Sequence, residues 1–213
     1  MDTHYITNNL GGMIMSKDFL KAVADRRSYY EISRESVISD EKIQEIIEHA
    51  VKYTPSAFNA QSARVVLLLG DKHDEFWDIT LEALRKVVPA DRFSPTKEKI
   101  QSFKNGHGTI LFYEDISVIK DLQQQFSLYK DNFPIWSEQS SGMHQFVIWT
   151  ALEMEGLGAS LQHYTELIEA EVREKFNIPE DWKLIAQMPF GNPVSKPGEK
   201  EFQPFEERIK ILR

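Results

Sequence analysis

The sequence predicts a mixed fold of amphipathic helices and short buried strands, and three features of the chain support this class. Residues 140–154 are apolar on almost every side at helical spacing, as expected for a helix in a large core or a subunit interface. Residues 65–69 and 109–113 are continuous apolar runs next to a glycine, which is typical of buried strands, and the first is expected in the interior of a sheet. Residues 39–51 carry a clear apolar stripe behind the cap residue Ser39, which predicts an amphipathic helix.

The remaining elements follow in chain order. A first helix is predicted over residues 16–27, capped by Ser16, with Phe19, Leu20 and Val23 facing inward. The further predicted helices cover residues 72–88, 96–104, 115–128 and 165–176, and the further strands cover residues 159–162 and 182–189.

Two segments are predicted to lack regular structure. Residues 129–138 form an aromatic loop that either walls a pocket or only packs on the surface. The tail of residues 196–213 is too polar to close a core of its own, so we expect it to wrap around a partner subunit.

Composition limits the classes of function. The 213 residues, 41% of them hydrophobic, suit one domain over residues 16–213, preceded by an extension of residues 1–15 that we expect to be disordered. A net charge of −8 argues against binding to nucleic acid or to an anionic membrane. Without cysteine the chain has no disulfide, thiolate nucleophile or cysteine-bound metal, and this absence and the lack of a visible secretory signal fit a cytoplasmic protein.

Motif searches exclude several enzyme classes. The chain has no nucleophile elbow, no P-loop, no Rossmann glycine motif and no H-E-x-x-H zinc motif. His107 is a lone histidine in a turn without a second ligand at a useful spacing, so no metal site is predicted.

Three short motifs have the residue types of a ligand site. Arg26 and Arg27 beside Ser28 offer planar forks of donors and a hydroxyl, which suits a phosphate, although a solvated helix end also favours arginine. Residues 55–61 (PSAFNAQ) are either a loop that hydrogen-bonds a heteroaromatic ring or a plain turn. Residues 155–158 (EGLG) either cap the apolar helix or bring backbone N–H groups against a flat ring.

The order of these motifs, together with residues 187–193 (QMPFGNP), resembles the FMN-dependent nitroreductase family, and the resemblance covers nearly all of residues 16–213. It implies an α+β fold, with a mainly antiparallel sheet flanked by helices. It also implies a homodimer with a long buried helix at the interface and a C-terminal arm exchanged with the partner. The implied activity is an NAD(P)H oxidoreductase that reduces nitroaromatics or quinones by a ping-pong hydride shuttle through flavin N5. The alternative is a flavin-binding regulatory or storage protein with little turnover.

The resemblance also assigns roles to residues. Backbone N–H groups of Glu155 and Gly156 would lie near N5. Lys200 is the preferred candidate for a basic group from the tail, and Lys196 and Arg208 are the next candidates. The residues implied to bind FMN are Arg26, Arg27, Ser28, Ser56, Ala57, Phe58, Asn59, Gln61, Glu155, Gly156, Leu157, Gly158 and Lys200. The residues implied to contact substrate are Phe133, Trp136 and His163, and no side chain acts as a nucleophile or binds a metal.

This chain departs from many relatives at two places. Tyr30 stands where they carry a further basic residue, which shifts phosphate binding toward the tail. Residues 160–163 (SLQH) replace a small residue and a tryptophan, so the shape of the substrate pocket stays open.

Overall fold

The structure is a computed structural model that describes residues 6–7, 13–14 and 18–213. Strand β1 (Ile6–Thr7) pairs antiparallel with β2 (Met13–Ile14). Apart from these four residues, the predicted extension of residues 1–15 and the predicted cap Ser16 lie outside the described part of the chain.

A five-stranded antiparallel sheet forms the centre of the fold, in the order β3-β7-β5-β4 with β6 paired to β7. Its strands are β3 (Ile32–Ser33), β4 (Ala63–Leu69), β5 (Gly108–Asp115), β6 (Gly158–Ala159) and β7 (Trp182–Pro193). Strand β5 is buried along its whole length. Alternate residues of β5 point to opposite faces of the sheet, so Ile110 and Phe112 join one core and Leu111 and Tyr113 join the other.

Helices cover both faces of the sheet. The seven helices of the described chain are α1 (Phe19–Asp25), α2 (Asp40–Tyr53), α3 (Gly70–Val87), α4 (Phe93–Lys104), α5 (Ile116–Gln125), α6 (Phe133–Met154) and α7 (Thr165–Phe176). Helices α3, α4 and α7 pack on one face, where Phe76, Trp77 and Phe103 fill the core. Helices α2 and α6 pack on the other face around Ile43 and Ile148.

Strand β4 corrects one prediction. It pairs with β5 alone among the described strands, so it is an edge strand, and the prediction that residues 65–69 lie in the sheet interior is wrong. Only Leu68 of this strand is fully buried. A continuous apolar run indicates that both faces of a strand are covered by helices. It does not indicate whether the strand has a neighbouring strand at each of its two edges.

Helix α6 is longer than predicted. It begins at Phe133, so the predicted aromatic loop of residues 129–138 is wrong for its second half. Pro134 lies in the first turn, where its missing N–H costs no helical hydrogen bond, and it therefore starts the helix instead of breaking it. The predicted N-cap Ser39 is confirmed, since its side chain accepts a hydrogen bond from the backbone N–H of Lys42 at 3.3 Å.

Two predicted apolar faces point away from the core of this chain. Phe19 and Leu20 of α1 are 61% and 71% exposed, so the prediction that they face inward is wrong for this protomer, and Ala22 is buried in their place. On α6, Met143 and Val147 lie on the outer face, while Ile148 faces the core. Helical spacing identifies an apolar stripe, but it does not show whether the same chain or another chain covers that stripe.

Candidate functional site

A cavity of about 510 Å³ opens where the end of α1 meets the start of the C-terminal tail, and we call it the basic cavity. Arg26, Arg27 and Ser28 lie on one wall, and Lys200 lies on the tail side. Arg27 donates a hydrogen bond from Nη2 to the carbonyl oxygen of Gly198 at 2.8 Å, which holds the tail across the opening. The two sources of positive charge proposed from sequence thus line one cavity.

Backbone pairing fixes the basic segment beside the end of α6. Ser28 forms a parallel bridge with Ala159, and the N–H of Tyr29 donates to the carbonyl oxygen of Ala159 at 2.9 Å. A side chain at Gly158 would place its Cβ 2.9 Å from Cγ of Tyr29, so this approach requires glycine. The arginine motif and residues 155–158 are therefore neighbours in space, as the sequence analysis expects of one site.

Arg26 is a partly buried cation of the basic cavity. Its guanidinium lies over the ring of Trp149, with Cζ 4.2 Å from the ring centroid. Burial and the neighbouring charge of Arg27 lower the pKa of Arg26, and Glu153 opposes this effect. Two adjacent guanidiniums in a partly dry site favour an anion, because the anion offsets both their repulsion and their lost hydration.

Residues 155–158 cap the end of α6, as one of the two interpretations of this segment predicts. Gly156 has a positive φ of 88°. Its N–H donates to the carbonyl oxygen of Glu153 at 2.9 Å, and the N–H of Leu157 donates to that of Leu152 at 2.9 Å. This is the pair of bonds that ends many helices at glycine. The N–H of Gly156 is thus engaged within the protomer, and any contact with a ligand would have to share its proton.

The loop of residues 56–61 is the most strained segment of the described chain. Phe58, Asn59 and Gln61 have positive φ angles of 57°, 53° and 49°. The N–H of Gln61 donates to Oγ of Ser56 at 3.0 Å, which closes the loop on itself. None of its residues lines the basic cavity, so one protomer does not bring all three motifs together.

Phe58 presents its ring to an aromatic cluster formed with Phe126, Tyr129, Phe133 and Trp136. Phe58 is 50% exposed and stacks on Trp136 with ring centroids 6.0 Å apart and planes 18° apart. Phe133 is only 2% exposed, so in this protomer it supports the ring of Phe58 from below. The substrate role of Phe133 and Trp136 stays a prediction.

His163, the third predicted substrate residue, lies exposed between β6 and α7. It lines neither the basic cavity nor the groove described next. Its predicted role gains no support from the geometry of one protomer.

An apolar groove of about 660 Å³ runs along the outer face of α6. Met143, Phe146 and Val147 form its floor, and Phe19 of α1 and Pro55 at the start of the strained loop line its sides. The groove is almost free of polar surface, which is typical of a face that another chain covers.

Sequence reasoning missed a polar network behind the strained loop. Ser62 donates from Oγ to Oε2 of the buried Glu114 at 2.6 Å, and Arg64 donates from Nη2 to Oδ2 of Asp115 at 2.9 Å. The only signals in the sequence were the adjacent acids Glu114 and Asp115 at the end of a buried strand and Arg64 in an otherwise apolar strand.

Two further properties concern the described residues as a whole. They contain no group of three or more histidines and acids placed to hold a metal ion. None of their helices has the length and apolarity needed to cross a membrane.

Comparisons with known proteins agree with this architecture. A family model described as the nitroreductase family matches residues 23–192. The HBN1 protein of Saccharomyces cerevisiae is 37% identical over 188 residues, which cover 86% of this chain and 92% of that protein.

Solved structures also resemble this chain. Nitroreductase CinD from Lactococcus lactis in complex with chloramphenicol superposes with a TM-score of 0.85 at 42% identity, covering 92% of this chain and 100% of that one. CinD has also been solved with 4-nitrophenol and with nicotinic acid. A protein from Exiguobacterium sibiricum in complex with FMN shares the fold, with a TM-score of 0.68 at 15% identity over 92% of this chain and 98% of that one. This chain therefore belongs to the nitroreductase family of oxidoreductases.

Proposed function

We propose that this chain is an FMN-dependent NAD(P)H oxidoreductase that reduces nitroaromatics, quinones or both. The observation that carries the proposal is the basic cavity, where Arg26, Arg27, Ser28 and Lys200 line one space of about 510 Å³. The complex of the relative CinD with 4-nitrophenol supports nitroaromatic compounds as the class of oxidant.

The residues of the basic cavity fit the phosphate end of FMN. Arg26 and Arg27 offer bidentate donors, Ser28 offers a hydroxyl, and Lys200 adds a point charge from the tail. The stacking of Arg26 on Trp149 holds one guanidinium in place before a ligand arrives, which lowers the entropy lost on binding.

Bound FMN would supply the redox chemistry by accepting hydride from NAD(P)H at N5 and passing it to the oxidant. The residues of the chain would hold and orient the cofactor, and no side chain needs to act as a nucleophile. The tail held by Arg27 would cover the phosphate end and limit the access of water.

We also propose that two copies form a homodimer through the apolar groove and that the C-terminal arm is exchanged. The tail beyond residue 200 is exposed throughout, with large apolar side chains at Phe202, Phe205, Ile211 and Leu212. The outer edge of β4, which no other described strand pairs, offers backbone groups with which a strand of another chain can pair. In such a dimer the loop of residues 56–61, which borders the groove at Pro55, would serve the cofactor of the partner.

Visible absorption of the purified protein tests the proposal, and the double substitution Arg26→Ala with Arg27→Ala is the key variant. We expect a yellow protein that bleaches anaerobically with NADPH or NADH, whereas the variant stays a folded dimer and loses FMN by at least about a hundredfold in Kd, since two charge-assisted contacts disappear. Exchange of Lys86, a lysine on α3 outside the cavity, for Ala is the control and should retain FMN.

Each contrary result has its own meaning. A colourless protein that cannot be reconstituted with FMN contradicts the proposed function. A yellow protein that neither donor reduces points to flavin storage or regulation. Full retention of FMN in the double variant removes the phosphate assignment alone.

A further inference from the structure

The start of the C-terminal tail crosses the basic cavity, and we call residues 195–200 the strap. The strap leaves β7 beside Glu31, whose carbonyl oxygen accepts a hydrogen bond from the N–H of Val194 at 3.0 Å. Four residues of the strap then line the basic cavity, namely Ser195, Pro197, Gly198 and Lys200. The strap is therefore tied to the sheet at its first end and reaches the cavity with its second.

The charges at the second end of the strap alternate in sign. Lys200 stands between Glu199 and Glu201 in the sequence. Lys200 lines the basic cavity, and neither of the two glutamates lines it. Neighbouring side chains of an extended segment point to opposite sides, so a slip by one residue would bring a carboxylate to the place of the ammonium group. The placement of the strap thus decides whether the tail attracts or repels an anion in the cavity.

A hydrogen bond from the opposite wall fixes this placement. Arg27 donates from Nη2 to the carbonyl oxygen of Gly198 at 2.8 Å, two residues before Lys200. A donor that carries a charge makes this bond stronger than one between neutral groups. Gly198 has no positive φ, and an added Cβ would meet no atom within 4 Å, so its carbonyl group is the feature that the contact uses.

The two adjacent arginines thus have different surroundings. The guanidinium of Arg26 lies over Trp149 on its own wall of the cavity, whereas Arg27 reaches across the opening to the strap. Nζ of Lys200 lies 5.3 Å from the ring centroid of Phe202, which is 72% exposed. A cation over an exposed ring is weakly held, so a phosphate group can take the place of this ring.

We propose that Arg27 is a positioning residue, which holds the strap so that Lys200, and neither Glu199 nor Glu201, faces the phosphate of FMN. Arg27 then contributes to FMN binding through Lys200. This inference rests on the proposed function for the identity of the ligand, whereas the hold of Arg27 on the strap stands without it.

Spin labelling tests the hold on the strap without any cofactor. The chain has no cysteine, so Glu199→Cys gives a single site for a nitroxide label, next to Gly198 and outside the cavity. Arg27→Met keeps an unbranched stem and has no donor, and we expect it to let the label rotate several-fold faster. Arg92→Met, the same change at an exposed arginine outside the cavity, should leave the label unchanged. Equal mobility of the label with Arg27 and with Met at this position overturns the inference.

FMN binding to the unlabelled proteins tests the route through Lys200. Arg27→Met and Lys200→Met should each weaken FMN binding about tenfold in Kd, the scale of one charge-assisted hydrogen bond. Because both changes remove the same contact, the double variant should also lose about tenfold and not about a hundredfold. A loss that reaches about a hundredfold shows that Arg27 acts on the phosphate independently of Lys200, and it overturns the inference.

An exchange of two neighbouring residues tests the placement of the strap. Glu199→Lys combined with Lys200→Glu moves the cation by one position and keeps the composition and the net charge. With Arg27 in place, we expect this pair of changes to weaken FMN binding by at least about tenfold, and in the Arg27→Met chain it should have little effect. Equal effects in the two backgrounds overturn the inference.

Riboflavin, which lacks the phosphate, is the control ligand. Its affinity should not respond to Arg27→Met, and a loss equal to that of FMN overturns the inference. Failure of the parent chain to bind either flavin contradicts the proposed function, and the spin label alone then decides whether Arg27 holds the strap.

Discussion

His73 is a fully buried histidine on α3 whose ring nitrogens both have partners. Nε2 lies 3.1 Å from the carbonyl oxygen of Lys104, which only accepts, so Nε2 carries the proton. Nδ1 then accepts from the hydroxyl of Thr109 at 2.8 Å, and that hydroxyl oxygen accepts from Nε1 of Trp77 at 2.9 Å. The network is complete with a neutral ring, and burial lowers the pKa of His73 to about 4.

His73 and Glu114 make opposite contributions to the pH dependence of stability. A histidine whose pKa is lowered in the folded state stabilises fully above about 6.5, and this contribution is lost as the pH falls toward 4. A glutamate whose pKa is raised stabilises fully below about 4.5, and this contribution is lost as the pH rises toward 7. Between about pH 4.5 and 6.5 the folded and unfolded chains bind the same number of protons at these two sites, so the two slopes cancel.

The variant Glu114→Gln should expose the acid sensitivity that this cancellation hides. Between pH 6.5 and pH 5 we expect its free energy of unfolding to fall by about 2 kcal/mol more than that of the parent, measured by urea denaturation. His73→Gln should show the reverse, a stability that rises on acidification relative to the parent. Parallel pH profiles for all three proteins would contradict the titration assigned to both groups.

At the scale of elements, the turn from α6 into β6 contains two glycines that the sequence does not distinguish. Gly156 needs its positive φ of 88°, and the nearest atom to an added Cβ, in Val37, lies at an ordinary 3.6 Å. At Gly158 an added Cβ would also meet Cγ of Pro193 at 3.1 Å, besides its clash with Tyr29. Backbone conformation limits the first position, and lack of space limits the second.

Alanine at each position separates these two causes. Gly156→Ala should lower the free energy of unfolding by about 1 kcal/mol through backbone strain, and it should leave the basic cavity unchanged. Gly158→Ala should cost about 1–3 kcal/mol and also weaken FMN binding, because Tyr29 must move beside the arginines. Chemical denaturation and FMN titration of both variants test this, and equal FMN affinity in the two would contradict the link through Tyr29.

Helices were predictable from sequence where their apolar side packs against the same chain. The stripe behind Ser39 and the segment of residues 165–176 gave α2 and α7 nearly residue for residue, because both bury their apolar side within the protomer. The start of α6 differs from the prediction because Pro134, which usually indicates a loop, lies in the first turn of this helix. The clustering of Arg26, Arg27 and Lys200 around one cavity was predictable only from the resemblance, since Arg26 and Lys200 lie near opposite ends of the sequence. The hydrogen bond between Ser62 and Glu114 was not predicted, because its contribution depends on the burial of both residues in the fold. Local sequence patterns do not show that burial.

At the scale of the whole molecule, the outer face of α6 decides the oligomeric state we expect. Val147 is 38% exposed in the floor of the apolar groove, and Val87, at the end of α3, is 61% exposed outside it. A charge buried at an interface without a partner is strongly unfavourable, whereas the same charge on an open surface is nearly neutral.

Val147→Glu should therefore yield a monomer in light scattering after gel filtration, and Val87→Glu should remain a dimer. Since the loop of residues 56–61 would serve the cofactor of the partner, the monomer should also lose most of its FMN. A dimeric Val147→Glu protein would contradict the interface. A monomer that keeps full FMN affinity would show that one chain builds the site alone.

The sheet order also bears on how the chain is made. β5, at residues 108–115, is buried along its full length, yet one of its two neighbours, β7, comes only at residues 182–193. During synthesis the ribosome releases β5 long before β7, so the growing chain carries an apolar strand with one open edge until residues 182–193 emerge. Pairing between such distant segments is slow and leaves the intermediate prone to aggregation. Helices α6 and α7 lie between these two strands in the chain and pack on opposite faces of the sheet, so the order of synthesis makes them available to cover the faces of β5 while its partner strand is still missing.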